Sequence, residues 1–520
     1  MLKALANARS HIANWREWEL NPVVVKELRQ AVRSWAVTGM LLLFLVVLFI
    51  TSLVFLVGQS FTVNANERLG ATIFQAFITI LTGASMVFIP LYVGVRLAVE
   101  RVESNLDLLY ISTLTPGRII RGKFLCGAYM AVLFFSACMP FMAFTNLLRG
   151  VDLPSIFFIL LYVFLIVCLA NQVAIFLACL PLSRPFKILL ALIGTILMFV
   201  MVMPVVGASW QLMRSGVGAM MAGRGFWVAF ATTVGLCFAG ALLLYFLSVA
   251  LISPVSANRA LPLRAYLTSI WVLGLGLSLY WVWRVHDARL ILPWAILTYF
   301  LMTAALIVAI SSHDELSLRV RRDIPSTRAR RALAFFFFNG AASGVVWVML
   351  LMGVTLLIAT WVLQIAPAWR PSITTMSSSD LDEFFKQTSG TVAYTLAYAL
   401  TGLILHRRLF KGRSPRLAGI LTVILAGGWA LVPYMASFFF NRLSWQTFER
   451  LQLGNVFNIY IIKDRDDLIY HLVFAVGWLM IMLLLNVRWF AAQWRNFKPL
   501  DRSAPIPTSP PPLPQPSATA

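Results

Sequence analysis

The sequence predicts an all-α polytopic membrane bundle of about twelve transmembrane helices, with an amphipathic interfacial helix ahead of the first. Three observations carry that expectation. Hydrophobic residues fill 60% of the 520 positions and charged residues only 12%, against roughly a quarter charged in soluble domains. Apolar runs of about 20 residues recur along the chain, the length a helix rising 1.5 Å per residue needs to cross roughly 30 Å of hydrocarbon. Helices are the expected form of those runs, because in lipid each segment must bond its own backbone amides.

Residues 1–36 are polar and read as a cytoplasmic or interfacial N-terminal helix. Asn21 is a good helix cap, and Pro22 suits the first helical position, where its missing N–H costs nothing. Val24, Leu28, Ala31, Val32 and Trp35 then fall on one face, with Lys26, Arg29 and Arg33 elsewhere, the pattern of a helix lying in the membrane interface. No short apolar core with a small-residue cleavage site precedes it, so the first span is expected to direct insertion itself.

Six spans follow at about 37–57, 72–96, 124–146, 155–180, 188–207 and 226–252, a first bundle over residues 37–253. Between the fifth and sixth, Ala208 to Gly225 is too glycine-rich for a domain and too apolar for a free loop. It is expected to form a re-entrant or interfacial helical hairpin packed against protein. A second bundle, residues 254–490, takes spans at about 266–284, 290–311, 340–363, 391–405, 417–440 and 468–486. The span near 391–405 is short, and a helix suggested by Asp380 and Glu383 at capping-box spacing is a candidate for its earlier start. Residues 491–520 end in a proline-rich tail, read as disordered polyproline or as a peptide-docking ligand.

The net charge of +22 is a matter of topology. About 30 of the 42 Lys and Arg fall in the two termini and the alternate loops on their side, while acids divide evenly. That is the positive-inside pattern, which places both termini in the cytoplasm and leaves nucleic-acid binding no part. The five cysteines, Cys126, Cys138, Cys168, Cys179 and Cys237, all lie in apolar runs without a paired motif, and read as small core hydrophobes.

Between the second and third spans, Glu100 to Lys123 is a polar stretch far longer than a reversal of direction needs. Gly117 to Lys123 has the spacing of a phosphate-binding loop, but Phe124 stands where a Mg²⁺-binding Ser or Thr is required, and no strand precedes it. A chain with this loop that used ATP would borrow the ATPase. Leu106, Leu109 and Tyr110 can share one helical face, with Glu100, Glu103 and Asp107 on another; Thr115-Pro116-Gly117 breaks the helix, and Arg118, Arg121 and Lys123 then meet headgroups. Such a segment is either a docking surface or an interfacial helix that closes a loop.

Asn21-Pro22 with Lys26-Glu27-Leu28-Arg29 resembles the connecting helix of type-2 export permeases of ATP-binding-cassette (ABC) transporters. The Glu100 to Lys123 stretch, with its Leu-acid-Leu-Leu core, Thr-Pro turn and Gly-Lys ending, resembles their coupling region, although Asn105-Leu106-Asp107 stands where the family usually has Thr-Leu-Glu. The resemblance covers about residues 15–253. It implies a permease that binds no cofactor of its own, with ATP and Mg on a separate ATPase subunit, in a bacterial cytoplasmic (inner) membrane as a homo- or heterodimer of permease chains. The implied ATPase-coupling surface is Asn21, Lys26, Glu27 and Arg29 on the first element, and Glu100, Arg101, Glu103, Asp107, Leu109, Pro116, Arg118 and Lys123 on the second. Residues 254–520 exceed the family core and read as an accessory bundle or, from Asp314, Glu315, Asp323 and Pro325 in the loop Ser311 to Arg331, as a degenerate second half.

Polar residues within spans are few: Gln75, Asn171 and Gln172 are candidates for a substrate path or for interhelical hydrogen bonds. Buried charges are not expected, which argues against an ion-coupled carrier; the charge-poor spans suggest a lipid-like or amphipathic cargo. Two other functions stay open. Lys463-Asp464-Arg465-Asp466-Asp467 reads as a solvated loop before a span or as the Asp-x-Asp of sugar transferases, so a membrane enzyme such as a lipid-linked glycosyltransferase is one; a non-transporting scaffold is the other. No Cys/His cluster or nucleophile-base pair suggests a metal or a catalytic centre.

Overall fold

The computed structural model describes residues 22–59, 69–102, 115–148, 151–254, 256–410, 412–439, 452–460, 462 and 465–499. Among them, twelve helices are long and apolar enough to cross a membrane, and the chain is a multi-pass all-α membrane protein. It divides into two compact units, Met1–Ser253 and Pro254–Ala520.

The first unit runs α1 (Pro22–Val32), α2 (Trp35–Gln59), α3 (Leu69–Val102), α4 (Pro116–Leu147), α5 (Leu153–Ala178), α6 (Arg184–Ser215), α7 (Val217–Met220) and α8 (Arg224–Ile252). Pro116, Pro154 and Pro185 sit in the first turns of α4, α5 and α6, where the fixed φ of proline favours a helix start. The hub is α3, which packs on α2, α4, α5 and α6. Ile73, Phe77 and Leu81, and beside them Phe74 and Ile78, follow one another at four-residue spacing and are all fully buried. Phe44 of α2 meets Phe134 of α4 at 5.2 Å between ring centroids, and Phe77 of α3 meets Phe141 of α4 at 5.8 Å. Lipid tails are as apolar as these rings, so close van der Waals packing is what holds the helices together. By contrast α2, apolar all round, buries Phe44 and Leu48 and turns Leu42, Phe49, Ile50 and Val54 outward.

Two expectations change here. The segment Ala208 to Gly225 forms no hairpin of its own: Ala208 to Ser215 continues α6, which stops only where Gly216 takes φ 66°, and one helical turn, α7, follows. Nothing before Gly216 breaks the helix, so it propagates. The turn is packed against protein as expected, for the Val217 amide donates to Ser155 Oγ (3.0 Å), and Ser155 in turn belongs to the Asp152 cap of α5. On α1, the buried positions are Val24, Glu27 and Ala31, whereas Val32 is 64% exposed and Trp35, the first residue of α2, 90%. The inward face is therefore rotated from the one that apolarity suggested, and it carries a carboxylate.

The second unit runs α9 (Ala260–Val285), α10 (Leu292–Ile310), α11 (Leu318–Arg322), α12 (Arg328–Phe337), α13 (Ala341–Trp369), α14 (Ser378–Leu409), α15 (Arg416–Phe439) and α16 (Arg465–Asn496). Its hub is α14, packed on α10, α13, α15 and α16. The short span near 391–405 is the interior of this 32-residue helix, which starts at Ser378 with Ser377 Oγ accepting the Asp380 amide at 3.2 Å.

Candidate functional site

The site is built where α1, the end of α3 and the start of α4 meet. Pro116 opens α4, and its register turns Ile119, Ile120 and Lys123 inward. Helix α1 packs on α4 with Glu27 inward. Lys123 Nζ lies 2.8 Å from Glu27 Oε1 and 2.8 Å from Glu100 Oε2, one ammonium shared by carboxylates from two other helices. Lys123 is 2% exposed and Glu27 3%. One turn before Glu100, Arg96 donates to Gln30 Oε1 on α1 (2.7 Å) and to Tyr92 Oη (2.6 Å). Helix α1 is thus held at two points, to α4 through Glu27 and to α3 through Gln30.

Contrary to expectation, buried charge is present. Hydropathy alone starts the third span at about 124, just past Lys123; the helix starts at Pro116, so Lys123 lies inside it. Burying ions costs several kcal/mol each, roughly, unless paired in good geometry, and the two 2.8 Å contacts are that geometry. Three of the residues implied as an ATPase-coupling surface, Glu27, Glu100 and Lys123, are therefore bound to one another. Lys26 and Arg29 are exposed, and with Arg33 they line a basic cleft on the outer face of α1. Arg118 is exposed and Pro116 half-buried at the head of α4, where Tyr245 Oη of α8 donates to the Gly117 carbonyl at 3.4 Å. Arg101 continues α3. Asn21, Glu103, Asp107 and Leu109 lie outside the described residues.

The three polar residues proposed for a substrate path do not converge. Gln75 Nε2, near the start of α3, donates to the Val206 carbonyl of α6 at 3.3 Å. Asn171 Nδ2 of α5 donates to the Phe124 carbonyl of α4 at 3.3 Å, beside Lys123 at the other end of the bundle. Asn171 and its neighbour Gln172 are buried, and Gln75 Oε1, Asn171 Oδ1 and Gln172 Nε2 are left without a hydrogen-bond partner. Gln75 and Asn171 each tie a pair of helices.

Two polar centres in the second unit escaped the sequence reading. Arg264 of α9 is 5% exposed and donates to the carbonyls of Phe336 (2.9 Å), Phe338 (2.8 Å) and Gly340 (3.2 Å) and to Ser343 Oγ (3.0 Å). It holds the turn into α13, where Gly340 has φ 137°. Asn339-Gly340 was the one local sign of that turn. Around Tyr394, the Gly454 amide donates to Tyr394 Oη (3.0 Å) and Tyr398 Oη donates to the Gly454 carbonyl (2.6 Å), with His471 Nδ1 3.3 Å from Tyr394 Oη. In the loop Ser311 to Arg331, Asp314 accepts the Ala341 amide at 3.1 Å. Of the acidic run, Asp464 lies outside the described residues and Asp467 lies in the first turn of α16. The described residues hold no group of three or more His, Cys, Asp or Glu placed for a metal.

The fold and this site define a multi-pass membrane protein whose first unit is laced at one end by an ion triad, Lys123 and Glu27 buried and Glu100 partly exposed. Compared with known proteins, the chain matches no family model, no curated protein and no solved structure.

Proposed function

We propose that this chain is the membrane-spanning permease subunit of an ABC exporter, receiving the work of a separate ATPase through α1 and the segment between α3 and α4, and moving a lipid-like or amphipathic compound. The single observation that carries the reading is the Glu27–Lys123–Glu100 triad. The element that resembles a connecting helix is joined by it to both ends of the stretch that resembles a coupling region, so displacement of α1 bears on α3, the hub of the unit, and on α4. A loop that merely closed a turn would need no such tie. The exposed face beside the triad, Lys26, Arg29 and Arg118, is what a partner would meet.

The test is purification of the full-length chain from its own membranes in mild detergent, followed by identification of any retained subunit with a phosphate-binding loop and by vanadate-sensitive ATP hydrolysis. The Lys26→Glu/Arg29→Glu variant and the Glu103→Lys/Asp107→Lys variant are expected to lose that subunit while keeping the wild-type melting temperature. Retention of the ATPase by both variants, or a wild-type chain that is fully active without one, would overturn the reading.

A further inference from the structure

The segment between α10 and α13 carries six arginines against Asp314, Glu315 and Asp323, and it is folded down onto the bundle. Val320 and Ile324 are buried. Phe335 of α12 meets Trp494, in the last turn of α16, at 5.2 Å and Phe497, just beyond that helix, at 5.4 Å between ring centroids. Helix α13 begins at Ala341, four residues after α12 ends at Phe337. Because α10, α13 and α16 each have the length and composition of a membrane span, the ends of three spans hold α11 and α12 at the level where the headgroups of a bilayer begin.

The outward side of this platform is basic and apolar together. Arg319, Arg322, Arg328 and Arg330 are exposed, joined by Arg495 and Lys498 from the end of α16, and among the described residues none of the six is in an ion pair. Asp314 is turned onto the Ala341 amide, which leaves Glu315 and Asp323 as local counter-charge. Arg328 and Arg330 also stand in the first turn of α12, where the helix dipole disfavours cations. Two leucines share the surface. Leu333 is 66% exposed and lies two residues before Phe335, nearly opposite it at about 100° per residue; Leu318, beside Arg319, is 67% exposed. Leucine in the acyl boundary with arginine reaching for phosphate is the pattern of a helix lying on a membrane, and Trp494, 46% exposed, suits the same depth. An acidic protein would meet the arginines and leave the leucines without a role.

We infer that α11, α12 and the end of α16 form a docking surface for anionic phospholipid, with headgroup phosphates taken by Arg319, Arg322, Arg328 and Arg330 and acyl chains touched by Leu318 and Leu333. The inference needs only a bilayer and stands whether or not the chain transports anything.

A fluorescent amino acid placed at position 333 of the full-length chain, reconstituted in phosphatidylcholine vesicles, reports quenching by a small fraction of nitroxide-labelled phosphatidylglycerol or nitroxide-labelled phosphatidylcholine. Labelled phosphatidylglycerol is expected to be the stronger quencher, by at least about fivefold in local concentration, the worth of one basic residue near a charged surface. That preference should fade as salt rises. The Arg319→Gln/Arg322→Gln/Arg328→Gln/Arg330→Gln variant should keep the wild-type melting temperature and be quenched alike by both lipids, while Arg→Lys changes at the same four positions should retain the preference. A probe at position 318 repeats the reading from α11, in a chain whose α12 is unaltered. Equal quenching by the two lipids in wild type, a preference that survives the glutamine variant, or a probe that neither lipid reaches, as an acidic protein partner held clear of the bilayer would require, would each overturn the surface.

Discussion

Lys123 and Glu27, 96 positions apart in the chain, share a 2.8 Å ion pair that the bulk solvent barely reaches. Taking away Lys123 leaves Glu27 as uncompensated buried charge, which costs about 3–5 kcal/mol, whereas removing either carboxylate leaves a Lys–Glu pair and exchanging the whole set for apolar side chains is often neutral. Lys123→Met is therefore expected to lower the melting temperature in detergent steeply, and Glu27→Met/Glu100→Met/Lys123→Met to recover most of the loss. A Lys123→Met variant as stable as wild type, or a triple variant no more stable than Lys123→Met, would contradict the triad.

Arg264 holds the Gly340 turn by donating to three carbonyls and a hydroxyl. Lysine offers a point charge in place of the planar fork, and each acceptor left unmade inside protein costs about 1–3 kcal/mol. Arg264→Lys and Arg264→Met should both free the turn before α13, read as faster tryptic cleavage at Arg328 and Arg330 on α12. Cleavage at the wild-type rate in both would show that the guanidinium does not secure the turn.

At Gly344 an added Cβ would fall 2.4 Å from Ala309 Cβ on α10, and that methyl is fixed to a helix backbone and has no rotamer to yield. Gly344→Ala should force α10 and α13 apart and cost about 1–3 kcal/mol, the range for overpacking, even though alanine is the better helix former. Double electron–electron resonance between labels on these two helices would register the separation, and an unchanged distance with unchanged stability would refute the contact.

Asp314, in the loop between α10 and α11, has its carboxyl pushed above the usual range by burial, against the opposing pull of the Ala341 amide, Arg407 and Trp489. The fold thus favours the protonated form. The resulting stability is complete below the unfolded value of about 3.9 and is lost as pH rises through the raised folded value. Asp314→Asn, neutral throughout, should gain on wild type as pH climbs from about 4 through that window, then hold a constant lead. Melting curves of the two proteins that stay parallel across the window would exclude this linkage.

The hydropathy of the chain made most of the helices legible, and its errors have a common cause. Helix α2 was plain because it faces lipid on nearly every side and has to be apolar all round. Helix α14 was the faintest of the twelve because it is the least apolar and the most buried of them: protein neighbours accept Tyr394, Tyr398 and Thr388, where lipid would not. Span ends were misplaced for a similar reason. Lys123 and Arg264 looked like the residues that close a span, and each lies inside a helix because a partner from a distant segment satisfies its charge or its donors.

Composition and periodicity by themselves determined that the chain lives in a membrane, that it crosses as helices, and roughly where most of those helices lie, since each of these follows from what one segment can tolerate in hydrocarbon. Tertiary structure alone decided that Glu27, Glu100 and Lys123 belong together, that α3 and α14 are the hubs, and that α12 lies folded against the end of α16. Those are properties of pairs and triples of segments. Hydropathy measures the transfer of one segment at a time, and it holds no information on which neighbour will meet a buried charge.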